Sequence, residues 1–197
     1  MTGASVPELR HAVEESPYTA EAHLRLGTAL LEAGAAREAE GELRAAIGLD
    51  PRCAGAWVNL DGILLARWEF SAAIEANRRA AEADPALPLA HFNQAVGHLH
   101  LGEHLEALEC LGRALALEPR NGAAYHHLGI VLYALGRELE ARLCIAYASE
   151  LGYRPSRMSV EALERAAAAR TGDPSTWQSQ ESPLTPQGER DGTAQGQ

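Results

Sequence analysis

The sequence predicts an all-α solenoid in which antiparallel helix pairs stack side by side. The first observation behind this prediction is a period of 34 residues in the spacing of proline and alanine. It relates Pro17, Pro51, Pro85 and Pro119; Ala39, Ala73, Ala107 and Ala141; and Ala46, Ala80, Ala114 and Ala148. The second is composition, because alanine and leucine supply most of the apolar residues while aromatic residues make up only 5 %. Such a composition favours helix over strand, and a fixed period of this length is typical of helical repeat proteins.

Each repeat contains two apolar stripes with helical spacing. In the first repeat the stripes are His23, Leu26 and Leu30, and then Ala39, Leu43 and Ala46. Residues three and four apart lie on one face of a helix. Each repeat is therefore predicted to form two amphipathic helices.

Glycine marks the break between the two helices of a repeat. Gly34, Gly102 and Gly136 occupy this position, where a residue without Cβ takes the left-handed conformation that ends a helix. Trp68 stands there in the second repeat. We expect that turn to be built differently from the other three.

These residues resemble the pattern of the tetratricopeptide-repeat (TPR) family. The fourth repeat has the family's alternation of large and small residues at Tyr125, Leu128, Gly129, Leu132, Gly136, Ala141, Ile145 and Ala148. The resemblance covers four units, at 20–53, 54–87, 88–121 and 122–155. It implies a right-handed superhelical solenoid whose first helices line a concave groove, and a non-catalytic role in binding other polypeptides.

Both ends of the repeat array are predicted to carry capping helices. Within the N-terminal capping region 1–19, residues 6–16 are amphipathic and resemble the second helix of an incomplete preceding unit. The stretch 156–170 is predicted to contain a helix whose N-cap residue is Ser159. Solenoids need such terminal helices to cover the last exposed core face. The remaining residues, 171–197, are rich in Gly, Pro, Ser, Thr and Gln and are predicted to be disordered.

Charge and composition exclude several classes of partner. The chain has 27 acidic and 17 basic residues, a net charge of -10 and no lysine. Nucleic acids and anionic membranes attract basic surfaces, so neither is an expected partner. No signal peptide and no apolar stretch of about 18 residues is evident, so no membrane insertion is expected and a cytoplasmic location is predicted. Cys53, Cys110 and Cys144 lack the close pairing of a zinc or redox motif.

The resemblance places a peptide-binding groove along the first helices. Its predicted residues are Arg25, Thr28, Val58, Asn59, Gly62, Leu65, Phe92, Asn93, Val96, Leu99, His100, His126, His127, Ile130 and Tyr133. Asn59 and Asn93 are one repeat apart, and an amide can pair with the backbone of an extended ligand whatever the ligand's sequence. Arg25 with His126 and His127 would favour an acidic segment below about pH 6.5, where imidazole becomes charged.

A second cluster departs from the apolar pattern at core positions. This predicted polar core seam comprises Asp61, Asn77, Gln94 and His98. A buried carboxylate without partners costs several kcal/mol. Asp61 is therefore expected to hydrogen-bond to a polar residue of this set or to an arginine.

Nothing in the sequence predicts catalysis. It has no glycine-rich phosphate loop, no GxSxG elbow and no HExxH motif. The histidines at 98, 100, 104, 126 and 127 invite a metal site, but packing is the better interpretation, so neither metal nor cofactor is predicted. The leading function is an adaptor or assembly factor that binds a segment of another protein. The alternatives are a self-assembling scaffold, which would be a homo-oligomer, and a small acidic chaperone for a secreted or maturing client.

Overall fold

The computed structural model describes residues 4–155, and within this range the chain forms nine α-helices and no strand. They are α1 (Val6–Glu15), α2 (Ala20–Glu32), α3 (Ala36–Leu49), α4 (Ala54–Ala66), α5 (Phe70–Ala83), α6 (Pro88–Leu101), α7 (His104–Leu117), α8 (Gly122–Ala134) and α9 (Glu138–Glu150). The all-α prediction is confirmed.

The helices stack in sequence order as a solenoid of pairs. The most extensive packing joins α2 to α3, α4 to α5, α6 to α7 and α8 to α9. The second helix of each pair also packs against the first helix of the next pair, and α2, α4, α6 and α8 contact one another in turn. The first helices therefore form a continuous inner layer, as the predicted solenoid requires.

Small residues set the distance between the helices of a pair. A Cβ added to Gly27 would lie 2.9 Å from the side chain of Leu43, and one added to Gly129 would lie 2.5 Å from that of Ile145. Leu43 is fully buried, and Leu26 and Leu30 pack in the same cluster. The absence of a side chain on these two glycines thus makes room for a large apolar residue of the partner helix.

Helix α1 covers the N-terminal end of the stack. Its Leu9 is buried in the same cluster as Leu26, and Arg10 pairs with Glu38 of α3. Ser5 begins the helix, and its backbone N–H donates to the Glu8 carboxylate at 2.7 Å. The predicted C-terminal cap at 156–170 and the predicted disordered tail at 171–197 lie outside the described residues.

All four turns within the pairs share one conformation. Gly34, Gly102 and Gly136 have φ of 77°, 77° and 87°, and Trp68 has a φ of 62°. The backbone N–H of Glu69 donates to the carbonyl of Leu64 at 3.0 Å, as the equivalent bonds do in the other turns. The expectation of a differently built turn at Trp68 is therefore wrong. The pairing of the two helices imposes the left-handed conformation, and a side chain there costs about 1 to 2 kcal/mol.

Within residues 4–155, no helix is both long and apolar enough to cross a membrane.

Candidate binding groove

The predicted groove residues differ widely in accessibility. Arg25, Gly62 and His100 are exposed, and most of the others are half-buried. His126, Ile130 and Tyr133, by contrast, retain only 2 %, 2 % and 3 % of their accessible surface. These three side chains are enclosed by neighbouring groups and do not face an open surface. The accessible part of the predicted groove thus lies on α2, α4 and α6, with the half-buried His127 on α8.

A cavity of about 500 Å³ opens at the N-terminal end of the inner layer. We call it the N-terminal cavity; it is lined by Ala4, Leu9, Leu24, Arg25, Thr28, Ala29, Glu32, Gly55, Val58, Asn59, Leu87 and Leu89. Four of these residues, Arg25, Thr28, Val58 and Asn59, belong to the predicted groove. The sequence prediction missed the apolar walls supplied by α1 and by the segment that leads into α6.

A hydrogen-bonded chain fixes the polar group of the N-terminal cavity. The Asn59 amide donates from Nδ2 to Thr28 Oγ1 at 2.7 Å, and Thr28 Oγ1 donates to the Leu24 carbonyl at 2.8 Å. This orientation leaves Asn59 Oδ1 to accept a hydrogen bond from a ligand. Asn93 lies one repeat further along, is half-buried, and makes no side-chain hydrogen bond to the described residues.

The cavity carries charge of both signs. The Arg25 guanidinium forms no ion pair within residues 4–155, whereas most of the solenoid's other arginines are paired with glutamates. Glu32 lines the same opening and adds a carboxylate. An extended polypeptide with apolar side chains and polar backbone therefore meets complementary groups here: apolar walls, one oriented amide and one uncommitted guanidinium.

The histidines at the C-terminal end do not add positive charge. Burial lowers the pKa of His126 to about 4, and the neighbouring His127 acts in the same direction. Burial also lowers the pKa of His127, although its hydrogen bond to the Ala123 carbonyl opposes the shift. His126 is therefore neutral at pH 6.5, and His127 is harder to charge than a free imidazole. The expectation that they would charge near that pH and attract an acidic ligand is wrong, because the sequence did not reveal that they are enclosed.

Aromatic packing encloses these histidines. The Phe92 ring meets the His127 ring edge to face, with ring centroids 5.1 Å apart, and the His126 ring lies 5.3 Å from that of Tyr153. These contacts pack His126 against Tyr153 at the end of the last pair and His127 against Phe92 of α6. The two imidazoles act as packing groups there.

The predicted polar core seam separates into two unlike parts. Asp61 and Asn77 are 1 % and 0 % exposed and are hydrogen-bonded to each other. Gln94 instead accepts a weak bond from Cys110 Sγ at 4.0 Å, and His98 pairs with Glu103 at 2.7 Å. The structure thus brings Asp61 and Asn77 together and places the other two members elsewhere.

The environment of Asp61 disfavours its charged form. Burial raises the pKa of Asp61 to about 6, and the hydrogen bond from Asn77 only partly opposes this shift. Asn77 Nδ2 also donates to the Ala73 carbonyl at 3.0 Å, while the Oδ1 atoms of Asp61 and Asn77 have no partner. A protonated Asp61 could donate to Asn77 Oδ1, which would satisfy both groups.

The described residues contain no group of three or more His, Cys, Asp or Glu side chains that could hold a metal ion. Cys53, Cys110 and Cys144 are free thiols, and burial raises the pKa of each. Elevated pKa values leave the thiols protonated at neutral pH and poor nucleophiles.

Comparison of the sequence with known families identifies one family. Two family descriptions, both of the tetratricopeptide repeat, match the chain: one at residues 88–121, the other at residues 3–51 and 24–88. Together these matches span more than half of the 197 residues. A search of curated proteins found no sequence match.

Solved structures with the same fold include MamA, PilF of Pseudomonas aeruginosa and YrrB. The crystal structure of MamA is 24 % identical with a TM-score of 0.68, covering 75 % of this chain and 86 % of MamA. PilF is 22 % identical with a TM-score of 0.70, covering 82 % and 73 %. YrrB, described as a TPR protein with an unusual peptide-binding site, is 19 % identical with a TM-score of 0.69, covering 84 % of each chain. At these identities the likeness concerns the fold alone.

Proposed function

Because the chain belongs to the tetratricopeptide-repeat family, we propose that it binds an extended segment of another protein along the inner layer of first helices, as an adaptor or assembly factor. It acts through binding and not through catalysis. The N-terminal cavity is the observation that carries this proposal, since it combines apolar walls with an oriented amide.

The geometry favours a ligand recognised partly through its backbone. Asn59 Oδ1 is held ready to accept a peptide N–H, and Asn93 presents an amide one repeat further along. The walls of the N-terminal cavity at Leu9, Leu24 and Val58 take an apolar side chain beside Asn59. Since YrrB is itself described as having a peptide-binding site, a similar fold accommodates such a ligand.

Replacing both amides tests the proposal. We expect Asn59→Ala together with Asn93→Ala to weaken binding of the natural partner by about 1 to 3 kcal/mol, because two hydrogen bonds to the ligand are lost. A photo-crosslinking residue at position 62, which is exposed on α4 near Asn59 in the chain, identifies the partner in the cell of origin. The affinity of that partner for purified wild-type and variant protein is then measured by calorimetry.

The matched control is Arg113→Ala on α7, an exposed second-helix position whose ion pair to Glu109 is local. It should leave both crosslinking and affinity unchanged. Equal affinity of the double variant and the wild type for the crosslinked partner, with helicity intact in both, would contradict binding in the proposed groove.

A further inference from the structure

Three aromatic rings form a cluster on the surface, outside the N-terminal cavity. Trp68 lies in the turn between α4 and α5, Phe70 begins α5, and His100 lies near the end of α6. The Phe70 and His100 rings stack in parallel with centroids 4.5 Å apart, and the Trp68 ring meets both edge-on at 5.7 Å and 6.5 Å. We call this cluster the aromatic corner. It joins the second helical pair to the third.

Folding stability does not explain why a tryptophan occupies position 68. Trp68 retains 71 % of its accessible surface, so the ring buries little area against the protein. Its backbone has the left-handed conformation that glycine supplies in the other turns of the described chain. A side chain in this conformation persists against its cost, and such strain is concentrated at sites that bind ligands.

Two glutamates lie close to the aromatic corner along the chain, one beside Trp68 and one after His100. Glu69 lies between Trp68 and Phe70 in the chain and is exposed, with no hydrogen bond or ion pair from its side chain to the described residues. Glu103 occupies the same register position in the next turn and pairs with His98. The adjacent Arg67 reaches away to Glu40 of the preceding pair, at 2.6 Å. Arg67 is thus paired with Glu40, and the charge of Glu69 acts on it only at longer range.

An indole face beside a carboxylate is suited to one kind of side chain. The negative face of a tryptophan ring attracts cations within about 6 Å of the ring centroid. A guanidinium is planar, so it can stack on the ring while its N–H groups donate to a carboxylate at the edge. An ammonium group is compact and strongly hydrated and gains less from the stacking.

We propose that the aromatic corner binds an arginine side chain of a partner protein, with the guanidinium stacked on the exposed face of Trp68 and hydrogen-bonded to Glu69. This surface is separate from the N-terminal cavity, although its His100 is also one of the predicted groove residues, and the proposal does not rest on the groove function. It gives the protein a second recognition element, specific for a basic residue in its partner.

A peptide titration followed by NMR tests the proposal on the full chain. The probe is a capped arginine–glycine repeat peptide, and its matched control replaces each arginine with citrulline, which keeps the shape and removes the charge. The chain has three tryptophans, Trp57, Trp68 and Trp177, whose indole N–H signals are resolved and assigned by single substitution. The arginine peptide should shift the Trp68 signal saturably, and the citrulline peptide should not.

Two variants separate the site from general attraction to an acidic protein. Glu69→Gln should weaken the affinity by roughly two- to fivefold, whereas Glu109→Gln, on the exposed face of α7, should leave it unchanged. Trp68→Gly should abolish saturable binding without lowering the thermal midpoint, because glycine suits the left-handed turn. Loss of binding is then not a consequence of unfolding.

Several outcomes would overturn the proposal. They are an unmoved Trp68 signal, equal shifts with the citrulline peptide, and equal weakening by Glu69→Gln and Glu109→Gln. Sedimentation supplies a further one: concentration-dependent association that Trp68→Gly removes would mean that a second copy of the chain occupies the aromatic corner.

Discussion

The second helical pair departs from the other pairs at the same contact in the core. In the first pair Gly27 faces Leu43, and in the fourth Gly129 faces Ile145. In the second pair the equivalent positions hold Asp61 and Asn77, both buried. A small residue against a large apolar one is thus replaced by two polar residues of intermediate size, while the helices keep the same pairing.

This comparison separates what the fold requires from what it tolerates. The helix pair requires that the two facing side chains fill the space between the backbones. It tolerates polar groups there when the two residues change together, because Asn77 supplies Asp61 with a hydrogen bond. The polar version has a cost, since Asp61 is held in surroundings that favour its neutral form.

Transferring one member of the polar pair into the first pair should have the largest effect. We expect Gly27→Asp to destabilise the protein by about 3 to 5 kcal/mol, because the new carboxylate is buried against Leu43 without a partner. The free energy of unfolding from urea titrations followed by circular dichroism measures the loss.

The double variant tests whether the polar residues act as a pair. The free energy of unfolding of the double variant Gly27→Asp, Leu43→Asn should fall by less than the sum of the decreases in the two single variants. The difference should be about 1 to 3 kcal/mol. Leu43→Asn alone serves as the control, since it creates the amide without the carboxylate. Strict additivity of the two changes would show that an aspartate and an asparagine do not stabilise each other at this helix contact.

The second prediction concerns the pH dependence that Asp61 introduces. Its folded pKa of about 6 lies above the ordinary value of 3.8. Between about pH 4 and pH 6 the folded protein therefore holds a proton that the unfolded chain has lost, so this residue makes stability fall as the pH rises through that window. Above pH 6 the decrease in the free energy of unfolding is complete, and it amounts to about 2 to 3 kcal/mol relative to pH 4.

Asp61→Asn removes this titration and lets the new amide donate to Asn77 Oδ1, which has no partner. The variant should match the wild type near pH 4 and exceed it by about 2 to 3 kcal/mol at pH 7. Unfolding titrations of both proteins at several pH values measure the difference. Glu14→Gln, at an exposed position of α1, is the matched control and should show no such divergence. A wild type as stable as Asp61→Asn at pH 7 would mean that Asp61 is ionised at little cost.

The sequence was sufficient for the repeat and insufficient for the environment of single side chains. The period of 34 residues located the helix pairs and placed Asp61 at a core position, because both follow from spacing along the chain. The repeat period could not show that His126 is enclosed, since this enclosure depends on the aromatic ring of Tyr153. The apolar walls of the N-terminal cavity were missed for a similar reason: Leu9 and Leu89 come from elements outside the first helices of the first two pairs.

The third and smallest prediction extends the comparison from the core contact to the turns. Gly102 has a φ of 77°, and a Cβ added there meets nothing within 4 Å. Gly102→Ala should therefore cost only the backbone strain, about 1 kcal/mol, which lowers the thermal midpoint by roughly 2 to 4 °C. Trp68→Gly relieves the same strain but loses the edge contacts with Phe70 and His100, so its gain should be at most about 1 kcal/mol. Differential scanning calorimetry measures both midpoints. A lower midpoint for Gly102→Ala together with a higher midpoint for Trp68→Gly would show that one left-handed geometry governs both turns. A lowered midpoint for Trp68→Gly would instead show that the indole stabilises its turn by more than the strain it imposes.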